Sequence, residues 1–250
     1  GPGGLVVVDV RIPTRPLVVG GLDLDGVSAI DGDVLFQYSR PMVDGKGKPS
    51  AERTPARRLV AVCDDESGPI LIDATEPQYL KVIGTKNRKP GAAERRDENG
   101  RYPALGLRTH VDVAAPQGGA RTVERDLLYF SEVVDGGNGN VRTVLRIVDV
   151  SDPERPSQLS VTRLGEASRS LIIGRWYNAP FLRPLAFTAG VAGLRMGDVS
   201  NSNEVVDLGS VVGLAEVTAM AMEEFPLDAM VDEDRRPLKY VSHPESRWLL

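Results

Sequence analysis

Leu145-Arg-Ile-Val-Asp149-Val-Ser-Asp-Pro-Glu-Arg-Pro156 is the stretch that decides the fold. Its apolar, β-branched run has the length and composition of a strand and ends on an aspartate, with two prolines in the polar residues that follow. At a strand end such a carboxylate accepts hydrogen bonds from the next backbone N–H groups, and proline presets φ for a reversal of the chain. Three further stretches share the pattern. Leu5-Val-Val-Val-Asp9-Val10 precedes Arg-Ile-Pro-Thr-Arg-Pro16, Ile70-Leu-Ile-Asp73-Ala74 precedes Thr-Glu-Pro77, and Leu194-Arg-Met-Gly-Asp198-Val199 precedes Ser-Asn-Ser-Asn203. Asp9, Asp73, Asp149 and Asp198 therefore read as structural turn anchors rather than as catalytic groups.

The anchors lie 64, 76 and 49 residues apart. One four-stranded propeller blade occupies about 40 to 50 residues, so the two longer spacings require insertions. Residues 40–58 and 86–104 supply them, each polar and rich in Gly, Pro and charge. Each anchor stretch has a companion apolar run, namely Val34–Tyr38, Leu59–Cys63, Leu127–Phe130 and Leu185–Thr188, and turn formers join the two into hairpins. Strands resume afterwards in Pro16–Gly20, Tyr79–Gly84 and Gln158–Val161. The expectation is an all-β chain, a β-propeller with about four to six blades and long inserted loops.

These residues resemble the LVIVD repeat: Leu145–Pro156 closely follows its consensus, and Leu5–Val10 nearly spells it. Ala186–Val199 resembles the longer unit, in which a glycine-leucine turn leads into the Asp-Val strand. The second unit departs, with Pro69 at the leading leucine and Ala74 for valine, and the fourth lacks both prolines. The resemblance implies a β-propeller within a large secreted or surface-anchored protein, hence an extracytoplasmic location. It implies no shared catalytic residues, and no cofactor is expected. Further divergent blades are expected around Thr109–Val123 and Val205–Val217, or else outside the chain. The ends, Gly1-Pro-Gly-Gly4 and Trp248-Leu-Leu250, read as cuts through a longer protein, and 222–250 as an acidic C-terminal extension or the start of a further element.

Composition narrows the function. No apolar run reaches the length of a spanning helix, and one cysteine excludes a disulfide framework or a multi-cysteine zinc site. A net charge of -5 argues against a nucleic-acid binder. Cys63 alternates with apolar residues and reads as packing. His110 and Asp112 share a strand face, which points first to a cross-strand hydrogen bond, and His243 precedes a proline. The carboxylates Asp23, Asp25, Asp31 and Asp33, and the run Asp64-Asp65-Glu66, read as solvated turns, because they lack the ligand spacing of a calcium loop. No metal is expected.

Charge patterning is more telling. Arg40, Lys46, Lys48, Arg53, Arg57 and Arg58 give residues 40–58 a net +4, and Lys86, Arg88, Lys89, Arg95, Arg96 and Arg101 give 86–104 a net +3. The remainder carries -12, half of it in Glu223–Asp234. These basic residues are the candidates for contact with an acidic protein partner or for self-association. The leading expectation is thus a non-catalytic interaction or scaffold module. A propeller hydrolase or lactonase with a divalent metal in its channel, drawing on residues such as Asp112, Asn178 and Glu216, is the alternative. An accessory subunit of a membrane or redox complex is the third.

Overall fold

The computed structural model describes residues 4–24, 31–43, 49–64, 68–85, 105–113, 123–135, 141–165, 168–178, 181–190, 193–211, 213, 214, 216, 217 and 220. Its regular elements are all strands, and no helix among the described residues is long and apolar enough to cross a membrane. In chain order they are β1 (Leu5–Asp9), β2 (Leu17–Leu22), β3 (Asp31–Gln37), β4 (Pro41–Val43), β5 (Pro49–Arg53), β6 (Arg57–Asp64), β7 (Gly68–Asp73) and β8 (Lys81–Thr85). Then follow β9 (Leu105–Val113), β10 (Val123–Asp135), β11 (Val141–Asp149), β12 (Ser157–Gly165), β13 (Ser168–Asn178), β14 (Phe181–Gly190), β15 (Gly193–Asn201) and β16 (Glu204–Ser210).

These strands form three antiparallel four-stranded sheets, ordered β3-β6-β7-β8, β12-β11-β10-β9 and β13-β14-β15-β16, and two pairs, β1-β2 and β4-β5. Each four-stranded sheet is a meander of strands in sequence order, with β4-β5 interposed in the first. Residues 40–58 were expected as a polar inserted loop. Their described part instead folds as the β4-β5 hairpin and the first turnless residues of β6, because Ser39, Arg40, Arg53 and Thr54 close its base. Thr54 N–H donates to the Arg40 carbonyl at 2.8 Å, and the Arg53 guanidinium to the Ser39 carbonyl at 2.6 Å. In the described parts of the stretches 109–123 and 205–217, the strand residues belong to β9 and β10 of the second sheet and β16 of the third.

Each anchor aspartate makes the local bond its sequence calls for. The backbone N–H two residues on donates to the carboxylate, from Arg11 to Asp9 at 3.0 Å, Thr75 to Asp73 at 2.9 Å, Ser151 to Asp149 at 2.9 Å and Ser200 to Asp198 at 2.8 Å. The first three aspartates end their strands, and a turn follows in which Arg15, Tyr79 and Arg155 donate to the carbonyls of Ile12, Glu76 and Asp152. Asp198 lies inside β15, which runs on to a tight hairpin at Asn201–Glu204. Without prolines, nothing forces the chain out of the ladder there. In all four cases the pairing register shifts just before the residue preceding the aspartate: Val7/Val8, Leu71/Ile72, Ile147/Val148 and Met196/Gly197. Such bulges sharpen strand twist. A leucine stands opposite each of the later anchors, with Leu59, Leu127 and Leu185 facing Asp73, Asp149 and Asp198.

The sheets stack face to face, and strand alternation explains how. Along β10, Leu128 and Phe130 pack on Leu35, Leu59, Ala61 and Leu71 of the first sheet. Leu127 and Tyr129 point the other way and meet Leu171, Ala186, Val199 and Val205 of the third. A sheet buried on both faces needs a continuous apolar run, and Leu127–Phe130 is one. The β1-β2 pair covers the opposite face of the first sheet through Leu5, Leu22 and Leu24 against Val62, Ile70 and Ile72. Leu214, Val217 and Met220 cover the far face of the third. Glycine sets the closest approaches, since a Cβ on Gly20 would stand 1.8 Å from the Pro77 carbonyl oxygen, and one on Gly84 2.6 Å from that of Pro153. The anchor turn of one sheet thus sits against a glycine of the sheet before it.

Candidate functional site

The base of the β4-β5 hairpin and the anchor turn after β11 face each other across the seam between the first and second sheets. Between them lies a cleft of about 540 Å³. Its floor is Asp126, which is 1% exposed. Burying a carboxylate costs several kcal/mol unless it is paired and hydrogen-bonded, and here both oxygens are engaged. Arg40 Nη2 donates to Oδ1 at 2.6 Å, and Gln37 Nε2 donates to Oδ2 at 2.9 Å. Gln37 Nε2 also donates to the Val150 carbonyl at 2.9 Å. The Asp126 backbone closes the arrangement, its N–H donating to Ser151 Oγ at 3.0 Å and its carbonyl accepting from Val150 N–H at 2.8 Å. One side chain thereby joins β3, β10 and the anchor turn.

Two longer ion pairs flank this floor. Arg125 stands 3.5 Å from Asp149, and Arg57 stands 3.6 Å from Glu154, whose carboxylate is largely exposed. At the mouth, Tyr38 and Met42 are exposed beside Pro41 and Pro55. Phe36 packs edge-on against Tyr38, with ring centroids 4.5 Å apart, which stiffens this apolar rim. The cleft therefore offers an apolar lip, a charged wall held by loose pairs, and a buried floor.

The sequence-derived candidates distribute unevenly. Arg40 turns inward to Asp126, and Arg57 lines the cleft. Arg53 holds Ser39, and Arg58 lies exposed on β6. Lys46, Lys48, Lys86, Arg88, Lys89, Arg95, Arg96 and Arg101 lie outside the described residues, as do Asp25, Asp65, Glu66, His243 and the acidic 222–250 stretch. His110 and Asp112 are on β9, where Asp112 is in register with Glu124, and Asn178 ends β13 opposite Phe181. Glu216 is exposed beyond β16. Among the described residues no three metal-ligating side chains converge.

Away from the cleft, Arg11 bonds Asp9 at 2.9 Å and holds that carboxyl below the ordinary range. Arg195 does the same for Asp207 across β15 and β16. Sequence reasoning missed Asp126, since an acid in Glu124-Arg-Asp-Leu-Leu128 reads as the solvated start of a strand. The one available signal was its place directly before the leucine that faces an anchor. No family model matches the chain, and no curated protein matches it.

Proposed function

We propose that the chain is an LVIVD-type β-propeller segment that serves as a non-catalytic interaction module in a larger extracytoplasmic protein or complex. The three meanders and the β1-β2 pair are then successive blades, consistent with their face-to-face stacking and with the first strands β3, β9 and β13 lying next to one another. The observation that carries the reading is the cleft between the first two of them. A partner segment lays an apolar side chain against Tyr38 and Met42, and an acidic residue of the partner competes with Glu154 for Arg57, whose present bridge is long and partly solvated. Asp126 and Arg40 stay paired and keep the hairpin in place.

Selection of random peptides on the purified chain tests this. Enriched peptides should combine an apolar residue with Asp or Glu, and their affinity should fall at least about tenfold on Tyr38→Ala or Arg57→Glu, as truncation of an interface anchor does. Arg195→Glu, far from the cleft, should leave binding unchanged. Peptides indifferent to the cleft substitutions, or no enrichment, would refute it.

A further inference from the structure

The anchor repeat sets two small residues at fixed positions. Eleven residues after each anchor aspartate, paired with the residue two before it, stand Gly20, Gly84, Ser160 and Gly209. Four residues after the aspartate stand Pro13, Pro77, Pro153 and Ser202. Gly20 receives the Pro77 carbonyl and Gly84 that of Pro153, so the two earlier seams close by glycine against a proline turn. At the seam between the second and third sheets both positions are serine. β12 and β16 meet there, and Leu159 packs into the cluster that holds Val199 and Val205 on either side of the third turn. A Cβ on residue 160 keeps that turn from pressing in as its predecessors do. Ser160 is 8% and Ser202 0% exposed, and neither hydroxyl has a hydrogen-bond partner among the described residues.

A third hydroxyl in the same turn lacks a partner for a reason visible in the sequence. Two residues after the aspartate, Thr75 Oγ1 accepts the Arg58 N–H at 3.1 Å, and Ser151 Oγ accepts the Asp126 N–H at 3.0 Å. In each case the donor is the residue before the leucine that faces the aspartate. The third sheet has Pro184 in that place, and proline carries no N–H. Ser200 Oγ is accordingly buried with no partner among the described residues. A buried hydroxyl without a hydrogen bond is costly, and three at one turn make a polar site of the kind internal water occupies. We propose that the third anchor turn binds internal water, which bridges Ser160 and Ser202 across the seam and gives Ser200 the donor that Pro184 withholds. This site lies at the seam away from the cleft, and its test is independent of peptide binding.

Oxygen-17 relaxation dispersion of water on the folded full chain is the test. It registers water held for longer than the tumbling time of the protein and is blind to the protons of the serine hydroxyls. The pair Ser160→Gly, Ser202→Pro restores the direct contact of the earlier seams and should lower the dispersion amplitude by the share of at least about one water molecule. Ser160→Ala, Ser200→Ala and Ser202→Ala combined should lower it as well, because a site stripped of polar partners stays empty. This second variant decides should the first fail to fold. An amplitude equal to that of the unsubstituted chain in either folded variant would overturn the proposal and assign the three hydroxyls to partners within the protein.

Discussion

The second sheet and the β1-β2 pair carry the same anchor motif and fare differently. Asp149 and Asp9 each accept the N–H two residues on, at 2.9 and 3.0 Å, and each is followed by the same turn. Around Asp149 the strands are covered on both faces, so Leu145, Ile147 and Val150 are fully buried. Around Asp9 one face is covered, and Val6, Val8 and Val18 stand exposed on the other. The anchor turn is therefore a local device that forms wherever its five or six residues occur. Stability comes from stacking on both faces, which the second sheet receives and the β1-β2 pair, among the described residues, does not.

Substitutions can break this contrast, and the largest effect is expected at the cleft floor. Asp126→Ala leaves Arg40 and Gln37 without their buried carboxylate and should cost about 3–5 kcal/mol. For a chain of this size each kcal/mol lowers Tm by about 2–4 °C, so calorimetry resolves it. Leu145→Ala should cost about 2–5 kcal/mol through the cavity it opens between two sheets, whereas Val8→Ala should stay within about 0.5 kcal/mol. Equal losses at these two positions would show that the β1-β2 pair is as well covered as the second sheet.

Gly84→Ala drives a Cβ into the Pro153 carbonyl and should destabilise by about 1–3 kcal/mol in urea unfolding. Asp149→Ala loses the turn bond and the Arg125 contact, an expected cost of about 1–2 kcal/mol, while Asp9→Ala at the exposed end should shift the midpoint much less. The smallest effect is electrostatic. Arg195 lowers the pKa of Asp207, so the pair stabilises the fold above the ordinary carboxylate range and stops doing so as pH falls through the lowered value. Because both groups are more than a third exposed, the pair should contribute under about 1 kcal/mol, and Asp207→Asn should flatten the acid limb of a Tm-against-pH curve only slightly.

Much of the fold was legible because its signals are short in range. Alternation and apolar runs located β6, β10, β11 and β14, and the Asp-x-x-x-Pro spacing located the turns after Asp9, Asp73 and Asp149. The β4-β5 hairpin was not legible, since Pro41-Met-Val43 is only three residues long, Pro49–Arg53 is polar, both open on proline, and contacts at their base rather than apolar alternation stabilise them. Of the cleft, Arg40 and Arg57 were singled out, but as outward cations of a loop. Charge counting registers a cation without registering the acid it meets, and Asp126 lies 86 residues from Arg40.

What the sequence alone determined was the local grammar: strands that end on aspartate, turns set by proline, and glycines at Gly20 and Gly84. These follow from backbone preferences and neighbours a few residues away. Only the tertiary structure decided which faces of those strands are buried, that Gly20 and Gly84 receive the next sheet's turn, and that Asp126 joins Arg40 and Gln37 at the floor of a cleft. Burial and pairing across sheets depend on residues brought together from distant parts of the chain, and no local pattern encodes that proximity.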